Sequence, residues 1–209
     1  MYKELLSNLE LQVTWQAFWQ NKKDLLVISK EGKITSLPSS FAIMAGSFNP
    51  LHQGHKKLAE VAEKILKKEV IFELSIANVD KPWLNETTVA KRLTQFIDYK
   101  TIAITKAATF LEKTNLFGEC DYILGYDTAN RLFTPKYYKD DIDMINSLRA
   151  MTRQGAKFLV ACRKEDQKIK TLSDINIPKE FQSFFSPISQ EIFYLDISST
   201  ALRSTGTIL

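Results

Sequence analysis

Histidine, cysteine and glycine are all scarce in this chain: two, two and seven among 209 residues. The cysteines, Cys120 and Cys162, form no C-x-x-C pair, so a structural zinc site of the usual spacing is excluded. They read as two buried thiols in a reducing compartment. No G-x-x-x-x-G-K-[ST] occurs, which excludes a P-loop. No G-x-G-x-x-G occurs, which disfavours a dinucleotide-binding dehydrogenase, and there is no G-x-S-x-G elbow. No apolar run approaches the roughly 20 residues a membrane helix needs. The opening M-Y-K-E-L-L-S-N-L-E has acidic residues and no continuous apolar core, unlike a secretory signal. The formal charge of +4 is mild and dispersed; it suits anionic small molecules and does not argue for nucleic acid. The expectation is a soluble, cytoplasmic protein with small-molecule substrates and neither a nucleic-acid nor a membrane partner. A homo-oligomeric state stays open.

What is present is an alternation. Strand candidates are Phe41–Ala45, Val70–Ile76, Ile102–Ile104, Tyr122–Leu124, Phe158–Ala161 and Ile192–Leu195. Helical patterns fill most intervals, at 53–69, 86–98, 107–116, 140–154 and from Ser199 onward. Strands separated by helices of this length imply βαβ units, and hence a parallel sheet with helices on both faces. Ligands of such sheets bind beyond the carboxyl ends of the strands, where strand order reverses. Ahead of this body, 1–40 reads as an N-terminal extension packed on it. It has a loose helix to about Asn21, then a hairpin of Leu25–Ile28 and Ile34–Leu37 about a Lys-Glu-Gly turn. The main domain is then 41–209. Within it, 166–189 is polar, holds Pro178 and Pro187, and reads as a loop with a short helix.

The strongest local signal follows the first main-body strand. Gly46 to His55 reads G-S-F-N-P-L-H-Q-G-H, and Leu58, Val61, Ala62, Ile65 and Leu66 then recur at helical spacing. Both histidines of the chain therefore fall where a helix begins, beside unpaired N–H groups and the positive end of the helix dipole. His52 and His55 can donate to phosphate oxygens, more strongly as charge accumulates in a transition state. As a metal pair they lack a nearby third ligand. A second constellation, Asp196-Ile-Ser-Ser-Thr-Ala-Leu-Arg203, opens a helix near the end of the chain. Its hydroxyls either cap that helix or, with Arg203, wrap an anion.

Taken together, G-S-F-N-P-L-H-Q-G-H and I-S-S-T-x-L-R resemble the paired signatures of the HxGH nucleotidyltransferase superfamily, in particular the nicotinamide and nicotinate mononucleotide adenylyltransferases. The resemblance runs from about Phe41 to Thr205. It implies a Rossmann-like, doubly wound α/β fold and transfer of AMP from ATP to nicotinamide or nicotinate mononucleotide, with release of pyrophosphate. It implies backbone contacts to the nucleotide from Gly46, Ser47 and Phe48, and phosphate binding and transition-state stabilisation by His52 and His55. Ser198, Ser199, Thr200 and Arg203 would hold the pyrophosphate. Leu124-Gly-Tyr-Asp-Thr128 resembles the family's G-x-D segment: Gly125 would admit the nucleoside, and Asp127 would accept from its hydroxyls or from a neighbouring donor, unless it caps a helix.

Mg²⁺ would be bound mainly through the substrate phosphates, with no metal ligands supplied by the protein. Asn49 stands where many bacterial relatives have Asp. The region that recognises the pyridine ring in mononucleotide adenylyltransferases is here Asn78–Leu84, where Trp83 could stack, Lys81 could meet a phosphate, and Arg92 lies on the next helix. The segments N-V-D-K-P, K-R-L-T-Q-F and G-Y-D-T-A-N-R-L resemble a cytidylyltransferase-like subgroup. The alternatives are therefore an adenylyl- or cytidylyltransferase for another phosphorylated acceptor, such as phosphopantetheine, or a catalytically silent nucleotide-binding protein. Arg131, Lys136 and Arg163 are further candidate phosphate donors, Lys136 reading better as solvated charge.

Overall fold

Phe41–Ala45 carries no polar side chain, and four of its five residues are buried. Such a segment is stable only when covered on both faces. The computed structural model, which describes residues 8–79, 82–165 and 168–193, places it mid-sheet. In chain order the elements are α1 (Leu9–Trp19), β1 (Leu25–Ile28), β2 (Phe41–Ala45), α2 (Gln53–Leu66), β3 (Glu69–Ser75), α3 (Glu86–Leu93), β4 (Ile102–Thr105), α4 (Phe110–Phe117), β5 (Asp121–Gly125), α5 (Tyr126–Arg131), α6 (Asp141–Arg153), β6 (Lys157–Ala161), β7 (Arg163–Glu165), β8 (Lys168–Lys170) and β9 (Phe185–Pro187). Seven strands pair in the order β1-β4-β3-β2-β5-β6-β9. All neighbours run parallel except the edge strand β1, which is antiparallel to β4.

Strand order runs outward from β2 in one direction through β3 and β4, and in the other through β5, β6 and β9. The reversal lies between β2 and β5, the topological switch point of a doubly wound sheet. Alternation along the strands builds one core on each face. Ala42, Met44, Phe72 and Leu74 pack with Trp15, Leu58, Val89 and Phe96, so α1, α2 and α3 cover one face. Phe41, Ile43, Tyr122 and Leu124 pack with Phe117, Ala129, Leu148 and Met151, so α4, α5 and α6 cover the other.

Two expectations change. Among the described residues the sixth parallel strand is Phe185–Pro187; of the expected strand Ile192–Leu195, Ile192 lies in a turn and is 55% exposed, while Tyr194 and Leu195 lie outside the described residues. Phe185 stacks on Phe158 at 4.5 Å, and Pro187 is tolerated because β9 is the sheet edge, where one side of the strand needs no donor. The N-terminal hairpin is also shorter than expected. Its second arm reaches β1 through the single bridge Ile28–Ile34 and the bond from Thr35 N–H to the Val27 carbonyl, while β1 itself joins the main sheet.

One polar cluster lies inside this frame. Glu73 on β3 and Lys113 on α4 form a buried ion pair, Nζ to Oε1 2.8 Å, with side chains 1% and 6% exposed. The Thr105 hydroxyl donates to the same carboxylate oxygen, and Lys113 donates also to the Ala107 carbonyl. The pair is therefore hydrogen-bonded on both sides, as a buried charge must be.

Candidate active site

Parallel strands end on one edge of the sheet, and the segments that leave β2, β3, β5 and β6 there carry the residues singled out in the sequence. Register sets two of them level. Met44 pairs with Ile123, and two residues beyond this pair come Gly46 and Gly125. A Cβ on Gly125 would meet nothing within 4 Å, so its backbone faces open space at the switch point. A Cβ on Gly46 would come within 2.7 Å of the Phe48 ring, so only glycine leaves that ring its seat. Phe48 has φ 42°, in the left-handed region, and its buried ring meets His55, Phe72 and Phe96 edge-on at 5.1–5.3 Å. The turn is thus anchored by an aromatic nail, and its polar groups remain at the sheet edge.

His52 is the N-cap of α2, and His55 sits one turn into it. Their rings stack at 3.7 Å. The His52 backbone N–H donates to His55 Nδ1 at 3.4 Å. An imidazole nitrogen that accepts carries no proton, so neutral His55 keeps its hydrogen on Nε2, as a donor. Burial, and then the neighbouring His52, push the His55 pKa down to about 3; burial lowers that of His52. Both rings are therefore neutral N–H donors at neutral pH. A polyphosphate beside them acts in the opposite direction, since an anion favours the imidazolium form.

The turn is held from the side by the helix after Asn78–Leu84. Arg92 Nη1 donates to the Ser47 carbonyl at 2.9 Å, so Arg92 reaches the nucleotide turn. Gln95, in the short 3₁₀ turn Thr94–Phe96, donates to the Phe48 carbonyl at 3.0 Å and accepts from Leu51 N–H at 2.7 Å. Sequence reading did not single out Gln95. Its available signals are its place in the K-R-L-T-Q-F segment and the i, i+3 spacing from Arg92, which puts both on one helix face. Trp83 is 62% exposed, and the bond from Leu84 N–H to the Ile76 carbonyl folds its segment back against the end of β3.

Across the switch point, Asp127 lies in the first turn of α5, but Gly125, not Asp127, is the N-cap. Asp127 instead pairs with Arg163 at the start of β7, the neighbouring donor that the sequence left open. The pair links the exits of β5 and β6. Lys81, Ser198, Ser199, Thr200 and Arg203 lie outside the described residues. Among the described residues no cluster of three or more His, Cys, Asp or Glu could hold a metal ion. None of their helices is long and apolar enough to cross a membrane.

The family model described as cytidylyltransferase-like matches residues 43–205. A Fusobacterium nucleatum protein named "Probable nicotinate-nucleotide adenylyltransferase" is 28% identical over 181 residues, covering 78% of this chain and 85% of its own length. A Schizosaccharomyces pombe protein, provisionally named a nicotinamide mononucleotide adenylyltransferase, is 28% identical over 138 residues, 59% of this chain. The match spans 53% of that longer protein. With a family model spanning both the histidine turn and the Gly125–Asp127 segment, the chain belongs to the cytidylyltransferase-like family, as a nucleotidyltransferase on a Rossmann-like sheet.

Proposed function

We propose that the protein transfers AMP from ATP to nicotinamide or nicotinate mononucleotide and releases pyrophosphate, a step of NAD formation. The observation that carries the reading is the stacked pair His52–His55, with the His55 Nε2 donor at the N-terminus of α2, beside the switch point. The names borne by the two relatives support the choice of acceptor.

In this reading a phosphate oxygen of the mononucleotide attacks the α-phosphorus of ATP. The bond from that phosphorus to the bridging oxygen breaks, and the electron pair leaves on pyrophosphate. No covalent enzyme intermediate is needed, so catalysis is positioning plus charge stabilisation. His52 and His55 donate to phosphate oxygens as charge grows on them. Backbone groups of Gly46, Ser47 and Phe48 seat the nucleotide, the open face at Gly125 admits the nucleoside, and Asp127 accepts from its ribose hydroxyls. Ser198, Ser199, Thr200 and Arg203 take the leaving pyrophosphate. Lys81, Trp83 and Arg92 serve the acceptor. Mg²⁺ bound with the triphosphate would neutralise charge on its phosphates, and no residue of this chain is assigned to hold it.

The test is pyrophosphate release with ATP or CTP against nicotinamide mononucleotide, nicotinate mononucleotide and phosphopantetheine. Turnover with ATP and a pyridine mononucleotide is expected. Turnover with CTP alone would favour the second reading, a cytidylyltransferase for another phosphorylated acceptor, which the family match also supports.

Arg163 offers a separate check. It and Asp127 are 38% and 48% exposed, and exposed pairs contribute at most about 1 kcal/mol to folding. Arg163→Ala is therefore expected to leave denaturant unfolding within about 1 kcal/mol of wild type. By releasing Asp127 from its orientation, it should raise the Kd for ATP several-fold in calorimetry.

A further inference from the structure

We propose that Gln95 is a positioning residue for the histidine pair: its carboxamide fixes the 48–51 backbone from which His52 and His55 are presented. The proposal rests on the catalytic roles given above to the histidines. It adds a residue whose side chain touches the backbone of the turn rather than either imidazole.

Two bonds carry the argument. The Gln95 Nε2 group donates to the Phe48 carbonyl at 3.0 Å, and its Oε1 accepts from Leu51 N–H at 2.7 Å. A side-chain amide offers a donor and an acceptor side by side, so it substitutes for a neighbouring strand across the four residues 48–51 of the turn. That turn has a strained step at its start, Phe48 at φ 42°. It has His52, the N-cap of α2, at its end. Leu51 N–H is the last backbone donor before His52. The His52 N–H in turn sets the His55 tautomer by donating to Nδ1. A shift at Leu51 therefore reaches the Nε2 donor of His55 through two consecutive backbone amides.

The same amide holds itself in place. Nε2 also donates to the Arg92 carbonyl at 3.1 Å, in the last turn of α3. The preceding residues, from Trp83 through α3, form the segment proposed to meet the acceptor. Gln95 thus ties the acceptor side of the cleft to the phosphate side.

The experiment uses the full chain and compares wild type with Gln95→Met, which matches the length and removes both bonds. Two histidines make the ¹⁵N imidazole spectrum simple to assign. Wild type is expected to show His55 as the Nε2–H tautomer. Gln95→Met should show a mixed tautomer and faster exchange of the Leu51 amide. Its kcat for pyrophosphate release should fall about 10-fold or more, with the KM for ATP within about 3-fold, because misplacement costs the transition state more than the ground state. Wild-type kcat with unchanged imidazole signals overturns the proposal, and so does lost kcat with an unchanged Leu51 amide. Should Gln95→Met fail to fold, Gln95→Glu, which keeps the Leu51 acceptor and loses the Phe48 donor, is read on kcat and the imidazole signals alone, and wild-type values of both there overturn the proposal. Absence of pyrophosphate release from wild type would defeat the functional reading, while the imidazole and amide signals would still decide the positioning role.

Discussion

His55→Asn is expected to lower kcat/KM for pyrophosphate release by about 10²- to 10³-fold, the usual cost of removing one preorganised donor from a developing charge. Asparagine separates two functions of this side chain. Its Oδ1 falls near the position of Nδ1 and can still accept from the His52 N–H, whereas nothing replaces Nε2. The variant should therefore stay folded and still bind ATP, and lose rate. A pH signature accompanies it. The His55 pKa is about 3 in the folded chain, below its ordinary value of about 6.5. Between these values the unfolded chain binds the extra proton, so stability falls as pH drops through this window and is unaffected above it. His55→Asn should lose this component, giving a flatter stability profile between about pH 6.5 and 3 in denaturant titrations. Wild-type turnover in His55→Asn would remove His55 from the chemistry.

The largest loss of stability is expected from Lys113→Met. Removing one partner of a buried ion pair leaves the other charge without compensation, at a cost of about 3–5 kcal/mol. Glu73 would keep only the Thr105 hydroxyl as donor among the bonds described for its carboxylate. For a single domain whose total stability is about 5–15 kcal/mol, this is a large fraction. The site would feel it, because the Glu73 carbonyl accepts from Gly46 N–H at 2.9 Å, the first amide of the nucleotide turn. Replacing both partners, Glu73→Gln with Lys113→Met, should recover much of the loss, since no charge is then stranded. Urea unfolding of both variants measures the difference. A Lys113→Met change below about 1 kcal/mol would show that the pair does not hold the sheet to α4.

The parts of the fold legible in the sequence were those written in local pattern. Phe41–Ala45 is a purely apolar run before a Gly-Asn-Pro turn, and it is the centre of the sheet. The histidine turn was legible for the same reason: strand end, turn residues, histidines and helix face are contiguous. Phe185–Pro187 was not, because a three-residue edge strand with a proline has no periodicity to detect, whereas Ile192–Leu195 offers four apolar residues in a row. Gln95 was illegible because a neutral polar side chain on a helix is ordinary, and its role exists only once β3 and α3 bring it to the turn. The Asp127–Arg163 pair likewise depends on β5 and β6 being neighbours, which strand order decides and sequence spacing does not.

Adenylyl transfer to a pyridine mononucleotide at the histidine turn is read directly from the fate of the α-phosphate. ATP labelled at the α-phosphate is incubated with Mg²⁺, nicotinamide or nicotinate mononucleotide and the full chain, and the products are separated by chromatography. Label is expected in a dinucleotide, formed in equal amount to pyrophosphate, and nearly disappears with His55→Asn. Label remaining in ATP, or appearing only in AMP, would contradict adenylyl transfer to the mononucleotide.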